Sequence, residues 1–159
     1  MNKLSQKNQN ELEQFVPIHF VGDLEKLTKE NEAFRKVIFT TETQQLVLMS
    51  IVPNEDIGKE IHSSTTQFIR LEEGEAIVTL GLDDYTLNLS AGKNDTVIIP
   101  PNTYHNVINK SDTKLKLYTI YSPPEHDPTT IQMSKPKNTN GLNDLYFKKK
   151  MDYTTLSGN

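Results

Sequence analysis

Two stretches decide how this chain is read: GKEIHSSTTQFIRLEEGEA at residues 58–76 and NDTVIIPPNTYHNVIN at residues 94–109. Each reads as strand, tight turn, strand, and each sets a histidine, His62 or His105, where strand meets loop. Glu60 and His62 stand at i and i+2, so in an extended segment both side chains leave the same face, about 7 Å apart at Cα. Gln67 follows the SSTT turn and starts the returning strand, which brings it back beside His62. His105 follows PPNTY, a turn that Pro100 and Pro101 stiffen and that Asn102 can enter with positive φ. If the two hairpins neighbour one another in a barrel, Glu60, His62, Gln67 and His105 converge. Two imidazoles and a carboxylate suit divalent iron and also accept zinc, manganese or nickel. Gln67 would add a neutral, weaker oxygen, and positions for water or substrate would stay open.

Outward from these stretches the same texture continues. VIFTT (37–41), QLVLMSI (45–51), TQFIRLEE (66–73), EAIVTL (75–80), YTLNLS (85–90), TVIIP (96–100), HNVIN (105–109) and LKLYTIY (115–121) all read as short strands between proline and glycine turn signals. Tyr85, Leu87 and Leu89 alternate with Thr86, Asn88 and Ser90, which predicts a half-buried strand. LDD at 82–84 reads as the hairpin turn before it. Short strands at regular spacing predict a sandwich or barrel. Helix is scarce, and GDLEKLTKENEAF (22–34) offers only a turn or two. The expected layout is a polar N-terminal extension over 1–29, a β-barrel over 30–125 and a C-terminal extension over 126–159. Asn, Gln, Lys and Thr crowd both ends, which are expected to be partly disordered, with Tyr146, Phe147 and Tyr153 as aromatic anchors of the second.

Composition removes several function classes. A chain of 159 residues is one domain's worth and can bury a core without staples. It contains no cysteine, so disulfides, thiolate metal sites and cysteine nucleophiles are excluded. Seventeen basic against 21 acidic residues give a net charge of −4, which argues against a nucleic-acid surface. The run Lys148–Lys150 reads as a solvated tail. No apolar run approaches membrane-spanning length and no signal segment follows the first lysines, so a cytoplasmic protein without membrane or nucleic-acid partners is expected. A G-x-S-x-G elbow, a phosphate-binding glycine loop and a dinucleotide fingerprint are all missing.

The two histidine stretches resemble the two motifs of the cupin superfamily, G-x5-H-x-H-x3–4-E-x6-G and G-x5-P-x-G-x2-H-x3-N. His62 takes the second histidine position and Glu60 the first. Gln67 and Gly74 keep the E-x6-G spacing, with glutamine in place of glutamate. Pro100, His105 and Asn109 match the second motif, where Asn94 and Asn102 replace two glycines, asparagine being tolerant of left-handed backbone. The resemblance covers roughly residues 30–130 and is nearest to small one-domain cupins often labelled by similarity to mannose-6-phosphate isomerase. Where that group commonly carries acidic residues after the histidine, Ser64 and Thr66 stand here.

The resemblance implies an all-β double-stranded β-helix (jelly-roll) barrel and one divalent transition metal held by Glu60, His62, Gln67 and His105. It also implies a homodimer, for which exposed edge strands give a physical motive. The expected function is a metal-binding cupin, an enzyme acting on a small polar sugar-like or keto/hydroxy substrate by Lewis-acid isomerase, epimerase or lyase chemistry. An oxygen-using metal dioxygenase and a non-catalytic small-ligand-binding cupin are the alternatives. No catalytic residue is assigned, because a Glu60 bound to metal cannot also act freely as a base. His126, in SPPEHDPTT, reads as a surface residue of a proline-rich loop, and His19 as a packing or surface residue. Tyr104 and Tyr118 read as core aromatics, and Asn109 as a maker of turn or strand hydrogen bonds.

Overall fold

The computed structural model describes residues 19–82 and 85–136. The two polar ends, with the Lys148–Lys150 run and the three aromatic anchors, lie outside the described residues, as do the turn positions 83 and 84. Within them the chain forms α1 (Leu24–Glu30), β1 (Arg35–Thr40), β2 (Gln45–Ile51), β3 (Thr66–Glu73), β4 (Glu75–Leu82), β5 (Tyr85–Gly92), β6 (Thr96–Ile99), β7 (Tyr104–Asn109), β8 (Leu115–Ser122) and β9 (Ile131–Gln132). A six-stranded sheet runs β6-β3-β8-β2-β1-β9 and a three-stranded sheet runs β5-β4-β7. All pairings are antiparallel. This is the all-β double-stranded β-helix barrel. No helix among the described residues is long and apolar enough to cross a membrane.

The helix is short because little favours a longer one. Asp23 caps it by accepting from the Lys26 N–H at 3.0 Å, and by Asn31 the backbone is already extended. Its end ties to the outer face of the sheet through Lys116, whose Nζ donates to the Asn31 carbonyl and to Glu32.

The interior grades from apolar to polar along β8, and that gradient places the site. Leu115, Leu117, Thr119 and Tyr121 alternate inward, all essentially inaccessible. Leu115 pairs with Ile51 at the apolar end, close to Leu71 and Leu117 in the core. Tyr121 pairs with Gln45 on one side and Gln67 on the other, so the opposite end is polar.

One strand departs from its pattern. Thr86 through Ser90 of β5 are all exposed, with Leu87 and Leu89 at 36% and 44%. The alternation is present, but β5 is an edge strand with β4 as its one neighbour, and among the described residues its apolar side stays exposed.

Turns behave as their residues require. Asn94 and Asn102 take φ of 72° and 61°, the left-handed conformation expected where glycine is replaced. Gly74 joins β3 to β4 at φ 90°, and a Cβ there would lie 2.9 Å from Ser111 Oγ and 3.2 Å from Leu115 Cα. Gly74→Ala is expected to destabilise the protein by about 1–3 kcal/mol, read as a lower urea midpoint at constant slope. An unchanged midpoint would show that this turn relaxes freely.

Candidate metal centre

Glu60 and His105 are brought together by backbone. They form an isolated antiparallel bridge, each N–H donating to the other's carbonyl at 2.9 Å. His62 is tied to the turn before β7 by the Asn102 N–H, which donates to its carbonyl at 2.7 Å. The two stretches of sequence are therefore stitched directly to one another. The result is a cluster in which Glu60, His62 and His105 each offer one ligand atom, all within 4.8 Å of one another, an arrangement that can hold a metal ion. The imidazole centroids lie 5.3 Å apart. Gln67 comes beside them through Tyr121, donating from Nε2 to the phenol oxygen at 3.2 Å while the Tyr121 ring meets His62 edge-on at 5.7 Å.

The candidate donor atoms are among those left without partners. Glu60 Oε2, His62 Nε2, Gln67 Oε1 and His105 Nε2 are all buried and make no hydrogen bond among the described residues. Glu60 Oε2 stands 3.5 Å from His62 Nε2 and 3.8 Å from His105 Nε2, too long for charge-assisted hydrogen bonds. Around one ion with bonds of about 2.0–2.1 Å, neighbouring donors are separated by roughly 3–3.5 Å. Buried polar groups rarely stay unsatisfied, and several together mark a missing partner. The residues present fit a divalent transition metal.

Glu60, His62 and His105 are each held from behind. The Nδ1 of His105 lies 2.9 Å from the Thr103 carbonyl, which fixes the tautomer whose Nε2 faces the cluster. Glu60 Oε1 lies 3.3 Å from Arg35 Nη2, and Arg35 Nη1 donates to Gln132 of β9 at 3.2 Å. Glu125 Oε1 stands 3.3 Å from His62 Nδ1.

These neighbours set the protonation states. Burial pushes the Glu60 carboxyl up, but His62 and Arg35 outweigh it and hold the group below the usual range. Burial pulls His62 down, yet Glu125 and Glu60 outweigh it and bring its pKa up to about 9. Burial lowers His105, only partly offset by the Thr103 carbonyl and Glu60.

Several residues stand elsewhere than the sequence suggested. His126 is buried at 5% exposure, not at the surface. Gln45 at the start of β2 clamps its backbone, accepting from the His126 N–H at 2.9 Å and donating to its carbonyl at 2.7 Å. The His126 ring then meets Tyr121 edge-on at 5.0 Å, with Nε2 buried and unpartnered. Tyr104 and Tyr118 are not core aromatics. His105 faces inward, so Tyr104 faces outward, 45% exposed beneath Lys59 Nζ. Tyr118, between inward Leu117 and Thr119, stacks on Phe68 outside the barrel. Asn109 does make the expected turn bonds, donating to the carbonyls of Ile51 and Thr113 at 2.8 Å each. His19 is exposed. Arg35, Gln45, Tyr121 and Glu125 were not singled out from sequence.

The comparisons with known proteins agree with this architecture. The Cupin domain family matches residues 47–121, from β2 to the end of the Tyr121 strand. An uncharacterized protein of Bacillus subtilis (strain 168), YrkC, is 40% identical over 126 residues, spanning 78% of this chain and 68% of that protein. The uncharacterized protein L612 of Acanthamoeba polyphaga mimivirus is 41% identical over 145 residues, spanning 86% of this chain and 89% of that one. The crystal structure of BH2720 from Bacillus halodurans is 41% identical and superposes with a TM-score of 0.72, covering 75% of this chain and 92% of its own. With the paired histidine stretches, the barrel and the buried Glu/His/His cluster, these matches establish that the chain belongs to the cupin superfamily.

Proposed function

We propose that this cupin holds one divalent transition metal through Glu60, His62, Gln67 and His105 and acts as an enzyme on a small polar substrate, sugar-like or a keto/hydroxy compound. The observation that carries the reading is the convergence of unpartnered donor atoms, Glu60 Oε2, His62 Nε2 and His105 Nε2 in one cluster, while Gln67 Oε1 is likewise buried without a partner among the described residues. A metal bound there supplies Lewis acidity toward a carbonyl or hydroxyl oxygen, the chemistry that isomerisation, epimerisation and lyase reactions share. The chain's own part is to hold the ligands, with Arg35 fixing Glu60 and the Thr103 carbonyl fixing His105. His126 favours catalysis over simple binding. It is an unpartnered imidazole beside Tyr121 that is not one of the proposed ligands, and burial holds its pKa down to about 3, so it is neutral at pH 7. The likeness to mannose-6-phosphate isomerase-like cupins belongs to this proposal and points to the same chemistry.

A second reading, a non-catalytic cupin that binds a small ligand, is favoured by how closed the centre is. His62, Gln67 and His105 are 9%, 1% and 1% exposed.

The test is elemental analysis of protein purified without a metal-affinity tag, beside the His62→Ala, His105→Ala double variant. About one equivalent of a transition metal, lost in the variant, is expected. No metal even after incubation with iron, manganese, nickel and zinc would sink the metalloprotein reading. A metal-loaded protein whose His126→Gln variant binds ligand normally and turns over nothing would assign His126 to chemistry.

A further inference from the structure

The segment after β8, Pro123–His126, is tied into the site by more hydrogen bonds than a connecting loop requires. Thr65, in the turn after His62, donates to the Pro123 carbonyl at 3.3 Å. Gln45, wholly buried, accepts from the backbone N–H groups of Glu125 and His126 and donates to the His126 carbonyl and to Thr40. These bonds fix the backbone that carries Glu125, whose side chain is 13% exposed. Among the described residues its one ion-pair contact is His62 Nδ1 at 3.3 Å.

Glu125 addresses the ring nitrogen that does not face the cluster. His62 Nε2 points toward Glu60 while Nδ1 meets Glu125, just as His105 Nε2 faces Glu60 while Nδ1 meets the Thr103 carbonyl. Both imidazoles are thus backed by an oxygen acceptor on the side away from the donor cluster. A neutral imidazole carries one N–H, and the acceptor it meets decides which nitrogen keeps the lone pair. Resting on the metal-centre reading above, we propose that Glu125 is a positioning residue of that centre. It accepts the Nδ1–H of His62, orients the ring and leaves the Nε2 lone pair free for the metal. Gln45 is the clamp that places it.

The test uses the full chain, with zinc affinity measured by chelator competition and the His62 Nδ1–H followed by nitrogen-15 NMR on zinc-loaded protein. Glu125→Ala is expected to weaken zinc binding about 10–100-fold, the usual cost of losing an outer hydrogen-bond partner of a histidine ligand. It should also abolish the slow-exchanging Nδ1–H signal. Glu125→Gln keeps an oxygen acceptor without the charge, and is expected to restore that signal and most of the affinity. An alanine variant that keeps both wild-type affinity and the protected proton would overturn the positioning role while leaving the metal centre standing. Equal losses in both variants, with the proton still protected, would overturn it in favour of charge alone. Wild-type protein that takes up none of zinc, iron, manganese and nickel would bring down the metal centre itself, and this role with it.

Discussion

Replacing Arg35 with methionine is expected to lower the stability of the metal-free protein by about 3–5 kcal/mol, the usual cost of stripping one partner from a buried ion pair. Arg35 begins β1, 3% exposed, with Nη2 against Glu60 and Nη1 against Gln132. Burial alone would push the Glu60 carboxyl up, and Arg35, after His62, is what keeps it ionised. Without the guanidinium, the buried carboxylate loses its closest cationic contact, Arg35 Nη2 at 3.3 Å, and is left with the protonated His62 as its counter-charge. The loss of one donor also frees the Gln132 side chain that joins β9 to the sheet. The double variant Arg35→Met, Glu60→Gln is expected to recover most of the loss, since it removes the charge together with its partner. Urea titrations of wild type, both single variants and the double variant, all chelator-treated, give the coupling energy. A coupling below about 0.5 kcal/mol would mean that the two residues act independently.

The sequence showed where Glu60, His62 and His105 meet but not what holds them, and the difference is one of range. Strand positions follow from local alternation and turn chemistry, and QLVLMSI and TQFIRLEE coincide with β2 and β3 residue for residue. Asn94 and Asn102 could be read as left-handed because asparagine in a turn offers that conformation locally. Glu60 follows Gly58 by two residues, His62 precedes the SSTT turn and His105 follows Asn102 by three, and the Glu60–His105 bridge brings the stretches together. Arg35 is different. Its inward side is set by pairing with Met49, and the β1–β2 register shifts between Val37 and Phe39, a bulge with no signature in RKVIFT. Glu125 and His126 sit in a proline-rich loop that normally signals solvent. What buries the histidine is Gln45, some eighty residues earlier, and only the β2–β8 pairing brings the two together. One local hint existed: inward alternation through Leu117, Thr119 and Tyr121 aims the chain at the site just before SPPEH. β5 shows the converse limit, because alternation separates two faces of a strand without saying what covers either.

The buried histidines also give the metal-free protein a stability optimum near pH 6.5, with each arm owned by different residues. On the acid side, His126 is held neutral to about pH 3 by burial, with Arg35 adding to the effect, and burial lowers His105 as well. Their folded pKa values lie below the unfolded value of 6.5, so the unfolded chain binds the protons first. Stability therefore falls as pH drops below 6.5, by up to about 1.4 kcal/mol per unit for His126, with His105 adding in the same direction. Between pH 6.5 and 4.5 this precedes the ordinary titration of carboxylates. On the alkaline side His62 works in the opposite sense. Burial opposes its charge, but Glu125 and Glu60 raise its folded pKa to about 9, so its contribution is complete below 6.5 and disappears as pH rises through about 9. The loss over that window is roughly 3 kcal/mol. Thermal melts of chelator-treated protein from pH 5 to 9 should show the maximum. His126→Gln should flatten the acid arm and leave the alkaline one, and stability that climbs steadily from pH 6 to 9 would refute the assignment of His62. Zinc should act on both arms, since His62 and His105 are both proposed ligands. A ligand imidazole must give up its Nε2 proton before it can bind, so the stabilisation conferred by zinc grows with pH across the window in which the metal-free protein weakens.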